Sequence, residues 1–332
     1  MMDVRTAADI CRSCPSVCES ACPALLGSGR LDRTPRGLVL TAAAGLDDGI
    51  DHCTNCGGCT RRCEADVPVA ELLADRRAMR PDAGTVGDAA DAWNALRGLR
   101  ARTVVIGRCG CGAPGPDAEA LRTAFDRAKV ENVVVLDGLD CGRRHLQRGA
   151  MRSFATLTPA IGAALQGVRS LVVPGGACNR ALDRHIAEAG LVAIYTSLLD
   201  DWLARFGVEL GRRAARLPCC QLGEGRAEPQ VTTSAAFPPG TTCCGGHGPL
   251  ADVDPDTAFE AARGLLARVL GSGRAELHVV DATCAAHLRA VAAAEGMQIE
   301  IVARTERWLA ATVAAQSGPG QSGGEGAGGE TG

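Results

Sequence analysis

Closely spaced cysteines constrain this chain more than any other feature of its sequence. Residues 53–63 read CTNCGGCTRRC, with cysteines at 53, 56, 59 and 63. This C-x2-C-x2-C-x3-C spacing is typical of a 4Fe–4S ligand loop, in which three neighbouring thiolates take three corners of one cluster. The pattern therefore predicts iron–sulfur chemistry in this part of the chain.

A second group of four cysteines precedes this loop, in residues 11–23, which read CRSCPSVCESACP. Three residues separate its second and third cysteines, whereas two residues separate those of the loop at 53–63. In paired loops the fourth cysteine of each ligates the cluster of the other. We therefore assign one cluster to Cys11, Cys14, Cys18 and Cys63, and the other to Cys53, Cys56, Cys59 and Cys22. A pair of zinc sites is the alternative, although zinc modules usually carry separated C-x2-C pairs.

The cysteine content and the chain start indicate a metal-binding protein of the cytoplasm. Seventeen of the 332 residues are cysteine, and the first residues lack the apolar region of a signal peptide. No run of about 18 apolar residues predicts a transmembrane segment, which leaves peripheral membrane association open. In a reducing compartment, clustered cysteines bind metal more often than they form disulfides. A net charge of −3 and 3% aromatic residues argue against nucleic acid as a partner.

Beyond residue 100, apolar runs alternate with stretches of helical periodicity. Strands are predicted at 102–107, 132–138, 170–176, 214–220, 277–283 and 299–304, and helices at 117–130, 179–190, 254–271 and 306–315. Such alternation indicates α/β structure with a largely parallel sheet. Asp256 is the predicted cap of the third of these helices. Because the order recurs, residues 100–205 and 206–316 are interpreted as two copies of one unit.

The remaining nine cysteines stand at corresponding places in the two copies. The first copy has Cys109 and Cys111 after a strand, Cys141 in Asp-Cys-Gly, and Cys178 after a later strand. The second copy has the pairs Cys219–Cys220 and Cys243–Cys244, the second followed by glycine, and then Cys284 after a strand.

This arrangement resembles the CCG domain of heterodisulfide reductase-like iron–sulfur proteins, whose pattern is Cys, then Cys-Cys-Gly, then Cys-x-x-Cys. With the N-terminal loops, the chain is similar to a family that includes the iron–sulfur subunits of glycolate oxidase and of anaerobic glycerol-3-phosphate dehydrogenase. The resemblance implies an α-helical ferredoxin domain followed by two tandem α/β CCG domains. The expected divisions are a two-cluster domain at 1–82, a linker helix at 83–99, CCG domains at 100–205 and 206–316, and a disordered Gly-rich tail at 317–332.

The resemblance also implies a further metal centre in the second copy. Its ligands would be Cys220, Cys243, Cys244 and Cys284, holding a third iron–sulfur cluster, cubane or non-cubane, with zinc as the alternative. Cys243 and Cys244 would be the catalytic pair. Both copies depart from the pattern, since Gly175 and Asp281 stand where the family has the first cysteine of Cys-x-x-Cys. His247 and His287 lie beside the second-copy cysteines, where they would either tune the site or lie at the surface.

The first copy is degenerate. Its candidates are Cys109 or Cys111, Cys141 and Cys178, which give three ligands, or four if both of the first pair bind. They are left open as a zinc site, a cluster site or no site.

These features predict an iron–sulfur electron-transfer subunit of an oxidoreductase. By resemblance it relays electrons between a flavin-dependent dehydrogenase subunit, or another electron-transfer protein, and quinone, a thiol/disulfide or another carrier. The chain has no G-x-G-x-x-G signature after a strand, which places the flavin on the partner. One alternative is a catalytic thiol–disulfide reductase subunit. The other is a zinc-stabilised scaffold without redox activity.

Overall fold

The computed structural model describes residues 2–81, 87–191, 193–206, 215–217, 219–220 and 243–314. The predicted tail at 317–332 and the start of the predicted linker helix lie outside these ranges. Within them, no helix is both long enough and apolar enough to cross a membrane.

Four α-helices joined by short 3-10 turns form the N-terminal part of the chain. They are α1 (Val4–Ser13), α2 (Pro23–Ser28), α3 (Pro35–Ala43) and α4 (Val69–Ala78), with 3-10 turns at Val17–Ala21, Leu31–Arg33, Ile50–His52 and Thr60–Arg62. Side-chain caps begin two helices: Asp3 accepts from the N–H groups of Arg5 and Thr6, and Thr34 accepts from that of Gly37. The buried core between the helices includes Ala7, Leu38, Ile50 and Leu73.

A parallel four-stranded sheet forms the first α/β half, in the order β2-β1-β3-β4. Its strands are β1 (Thr103–Ile106), β2 (Val133–Leu136), β3 (Ser170–Val173) and β4 (Tyr195–Leu198). The helices are α5 (Gly87–Asn94), α6 (Ala118–Arg127), α7 (Arg143–Arg148), α8 (Met151–Ala164), α9 (Gly176–Glu188) and α10 (Leu199–Leu203), followed by the 3-10 turn Ala204–Phe206. Val104 and Ile106 pack on one face of the sheet with Trp93, and Val105 packs on the other with Phe125. Burial on both faces explains why β1 and β3 read as continuous apolar runs.

A parallel three-stranded sheet forms the described part of the second half, in the order β5-β6-β7. Its strands are β5 (Ala215–Leu217), β6 (Glu276–Val279) and β7 (Glu300–Val302), and its helices are α11 (Leu250–Val253), α12 (Pro255–Gly271), α13 (Ala282–Ala294) and α14 (Arg304–Ala314). This order matches β1-β3-β4 of the first half strand for strand. The structure therefore agrees with the predicted alternation and with the largely parallel sheet.

The predicted cap of α12 was wrong. The helix is capped by Asp254, whose carboxylate accepts from the Thr257 N–H and hydroxyl groups. Asp256 lies inside the first turn because Pro255 occupies the first helical position, where proline is favoured.

The N-terminal helices pack directly on the second half through α2 and α12. A Cβ atom at Gly27 would lie 2.1 Å from the Thr257 carbonyl oxygen, so only glycine permits this approach. Beside it, Arg33 donates to Asp254 and, at 3.1 Å, to the Thr257 hydroxyl. The contact therefore joins residues that lie more than two hundred positions apart.

We expect Gly27→Ala to weaken this contact. Overpacking of this kind costs about 1–3 kcal/mol, which anaerobic urea denaturation would show as a lower unfolding midpoint. Gly271→Ala is the control, because a Cβ there meets nothing within 4 Å. Equal midpoints for the two variants would contradict the predicted role of Gly27.

Candidate metal centres

Two neighbouring cavities in the N-terminal helical part are lined by the eight clustered cysteines. The lining of one includes Cys11, Cys14, Cys18 and Cys63. The lining of the other includes Cys22, Cys53, Cys56 and Cys59, and Cys59 also reaches the first. The last cysteine of each loop thus lies at the cavity of the other loop, in the crossed arrangement that the spacing predicts.

Burial raises the pKa of several of the thiols around these cavities. Burial, and then the neighbouring thiols Cys11 and Cys14, raise the pKa of Cys18 to about 11. Burial is also the main cause that raises the pKa of Cys22 to about 12. Because thiols must lose their protons to bind metal, thiolates crowded in this way need a strongly positive centre, and iron ions supply one.

Arg77 on α4 holds the loop that carries the second group of cysteines. Its side chain is fully buried and donates to the Asn55 side-chain oxygen at 2.9 Å and to the backbone oxygens of Ile50 and Cys53 at 2.8 and 3.1 Å. Its Nε atom lies 3.2 Å from a carboxylate oxygen of Asp51. One guanidinium therefore fixes the backbone on both sides of Cys53.

A family model of the 4Fe-4S dicluster domain matches residues 7–67. We call this part of the chain the dicluster domain. The matched range contains all eight cysteines of the two cavities, and the match supports iron–sulfur electron transfer. Neither the curated proteins nor the solved structures contain a match to the chain.

Four cysteines of the first α/β half form a compact buried group beyond the dicluster domain. The sulfur atoms of Cys109, Cys111, Cys141 and Cys178 all lie within 4.8 Å of one another, and those of Cys111 and Cys178 are 3.6 Å apart. They follow the carboxyl ends of β1, β2 and β3, which are neighbours in the sheet. Parallel order thus brings together cysteines up to 69 positions apart.

The spacing of this group favours a single tetrahedral ion. Zinc–sulfur bonds of about 2.3 Å place four sulfurs about 3.8 Å apart around one ion. A 4Fe–4S cluster separates its ligands further, because each thiolate binds a different iron. Among the three outcomes left open for this half, the geometry favours zinc. It also brings Cys109 and Cys111 together, so that the four-ligand alternative left open by the sequence is the one the geometry favours.

We expect Cys178→Ser to lower the zinc content by about one ion per chain, because a closed structural site uses four ligands. Metal analysis of the purified protein would measure this. Cys18→Ser is the control, since it removes a ligand from the dicluster domain and should lower iron without lowering zinc. A loss of iron from Cys178→Ser would place a cluster in the first half instead.

The predicted second-half ligands form two pairs in the structure. Cys220 and Cys243 form a buried cluster with Cys56 of the dicluster domain. Cys244 packs with Cys284 in the core of the second half. All five are buried. The four predicted ligands therefore share one region, and one pair faces the dicluster domain.

The glycines after Cys244 allow the second half to approach the dicluster domain closely. Gly248 has a φ of +76°, and a Cβ atom there would lie 2.6 Å from the Thr54 carbonyl oxygen. The Cys243 thiol donates to the Thr54 hydroxyl at 3.7 Å. The loop that carries Cys243 thus lies against the loop that carries Cys56.

Sequence reasoning missed three roles in these centres. Arg77 had no motif to mark it, and the contact of Cys56 with Cys243 depends on packing between distant segments. Asp281 and His247 were seen only as neighbours of the second-half cysteines. Their signal was present, since Asp281 replaces a family cysteine and His247 follows the Cys-Cys-Gly-Gly run.

Proposed function

We propose that the protein is an iron–sulfur electron-transfer subunit of an oxidoreductase, in which the dicluster domain exchanges electrons with the thiols of the second half. The observation that carries this proposal is the buried contact that Cys56 makes with Cys243 and Cys220. It joins a cluster cavity to the second α/β half without an intervening residue.

The arrangement of the cavities supports a continuous path. Cys59 lines both cavities, so the two predicted clusters are neighbours. From the second cavity, Cys56 leads to Cys243, and Cys243 leads to Cys220. Electrons would enter the dicluster domain from a flavin-dependent dehydrogenase partner and leave towards quinone or another carrier. The partner and carrier are proposed from the resemblance to heterodisulfide reductase-like proteins.

The path is tested by the rate at which an acceptor reoxidises the reduced protein. After anaerobic reduction with dithionite, a soluble quinone is added and the visible absorbance of the clusters is followed. Cys243→Ser should slow reoxidation by about tenfold or more, which equals about 1.4 kcal/mol in the barrier. Cys219→Ser is the matched control. Cys219 is the neighbour of Cys220 in the sequence and is also buried, but its thiol donates to Asp281 at 3.5 Å. Equal rates in the two variants would overturn the path.

The contact between Cys220 and Cys243 favours a second candidate function, a thiol–disulfide reductase. Cys220 and Cys243 lie together in one buried cluster with Cys56, which lines a cluster cavity. A disulfide between them would accept two electrons and two protons, break its S–S bond and give two thiols. These thiols would then reduce a disulfide substrate by exchange. This candidate predicts that the reduced protein reduces a small disulfide, and that Cys220→Ser abolishes this reaction.

A further inference from the structure

A second group of candidate metal ligands lies where the two α/β halves meet. It consists of His247, Asp281 and Cys284, and one possible ligand atom of each lies within 4.8 Å of those of the other two. We infer that these three side chains, with Cys244 as the fourth ligand, bind one zinc ion. The inference deepens the proposed function, because it assigns Cys244 and Cys284 to zinc and leaves Cys220 and Cys243 facing the clusters.

The carboxylate of Asp281 is held rigidly at this place. It caps α13 by accepting from the N–H groups of Thr283 and Cys284 at 2.9 and 3.0 Å. It also accepts from the N–H group of Gly176, the first residue of α9 in the first half, at 2.5 Å. Nearby, the Ala282 N–H group donates to the Pro174 carbonyl. One buried carboxylate therefore joins corresponding turns of the two halves.

His247 has a ligand atom to spare. Its Nε2 atom lies 2.9 Å from a carboxylate oxygen of Asp281, and its Nδ1 atom is buried with no hydrogen-bond partner among the described residues. The side chain is 1% exposed, so water does not satisfy it, and the prediction that it could lie at the surface was wrong. An imidazole in this state can bind a metal through one nitrogen.

Cys244 is the candidate for the fourth ligand, because it is buried and packs in the same cluster of side chains as Cys284. Two thiolates, one imidazole and one carboxylate are all ligand types that zinc accepts in tetrahedral sites. With bonds of about 2.0–2.3 Å, zinc would hold its ligand atoms roughly 3.3–3.8 Å apart, and the candidate atoms of His247, Asp281 and Cys284 already lie within 4.8 Å of one another. The mixed donors favour zinc over an iron–sulfur cluster, whose usual ligands are thiolates.

A second buried His–Asp pair shows what distinguishes this group. His278 lies 2.7 Å from Asp200, and both side chains are buried. Its Nδ1 atom also has no hydrogen-bond partner among the described residues. That pair belongs to neither of the two candidate ligand groups found among the described residues. The cysteines are therefore what make the His247 group a metal site, and His278 serves as a matched control.

Zinc and iron analysis of the anaerobically purified full chain tests the inference. His247→Gln should contain about one zinc ion fewer per chain than the parent, with iron unchanged, whereas His278→Gln should keep the parent's zinc. Asp281→Asn keeps an oxygen that can cap α13 and should also lose about one zinc. Unchanged iron in each variant shows that the dicluster domain is still folded.

Equal zinc in His247→Gln and the parent would overturn the inference. So would a loss of about four irons from Cys284→Ser, because it would assign Cys284 to a cluster. Both results leave the proposed function intact. That function fails on a different result, the absence of iron and sulfide from the dicluster domain.

Discussion

Cys56→Ser is expected to remove about four of roughly eight iron atoms per chain, because it deletes one of the four thiolates around the second cavity. It is also expected to interrupt electron transfer to the second half, since Cys56 is the thiol that contacts Cys243. Thr54 lines the same cavity and accepts from the Cys243 thiol, but it has no thiolate with which to bind a cluster. Iron analysis and the rate of quinone reduction measure the two effects separately.

Cys220→Ser is the control for Cys56→Ser. Cys220 belongs to the same buried cluster of thiols, but it reaches that cluster from the second half. Cys220→Ser should keep its iron and lose only the electron-transfer step from Cys243 to Cys220. The prediction fails if Cys56→Ser keeps all of its iron, or if Cys220→Ser loses as much iron as Cys56→Ser does.

Arg77→Met should destabilise the dicluster domain by about 3 kcal/mol or more. Methionine fills much of the space, but it removes the buried donors to the carbonyls of Ile50 and Cys53 and one of the two arginines beside Asp51. Because the same loop carries Cys53 and Cys56, the second cluster should be lost at lower urea concentrations than in the parent. Cluster absorbance followed during anaerobic urea denaturation would show this.

Arg76→Met is the matched control for Arg77→Met. Arg76 is the neighbouring residue on α4, and its ion pair with Asp47 is partly exposed on both sides. Exposed pairs of this kind contribute about 0–1 kcal/mol. Similar losses in the two variants would show that the buried hydrogen bonds of Arg77 do not hold the cysteine loop.

Local patterns in the sequence predicted the secondary structure well where burial is uniform. Continuous apolar runs marked β1 and β3, since these central strands are covered on both faces. The amphipathic period marked α6 and α12. The cap of α12 was misplaced because Asp254 and Asp256 are both plausible caps, and only the position of Pro255 decides between them.

Cysteine spacing predicted the two cavities because each loop is short and its ligands are local. The contact of Cys56 with Cys243 could not be predicted in this way, since it depends on how α2 packs against α12 and how Gly248 meets Thr54. The four-cysteine group of the first half was undervalued for a related reason. Its members follow three different strands, and only the strand order β2-β1-β3 brings them together.

Iron and acid-labile sulfide analysis of the anaerobically purified chain, with electron paramagnetic resonance after reduction, tests the central claim most directly. The account predicts about eight irons and eight sulfides per chain, and signals of two 4Fe–4S clusters close enough to interact. Protein that contains only zinc and lacks acid-labile sulfide would contradict it, and would favour the zinc-stabilised scaffold without redox activity.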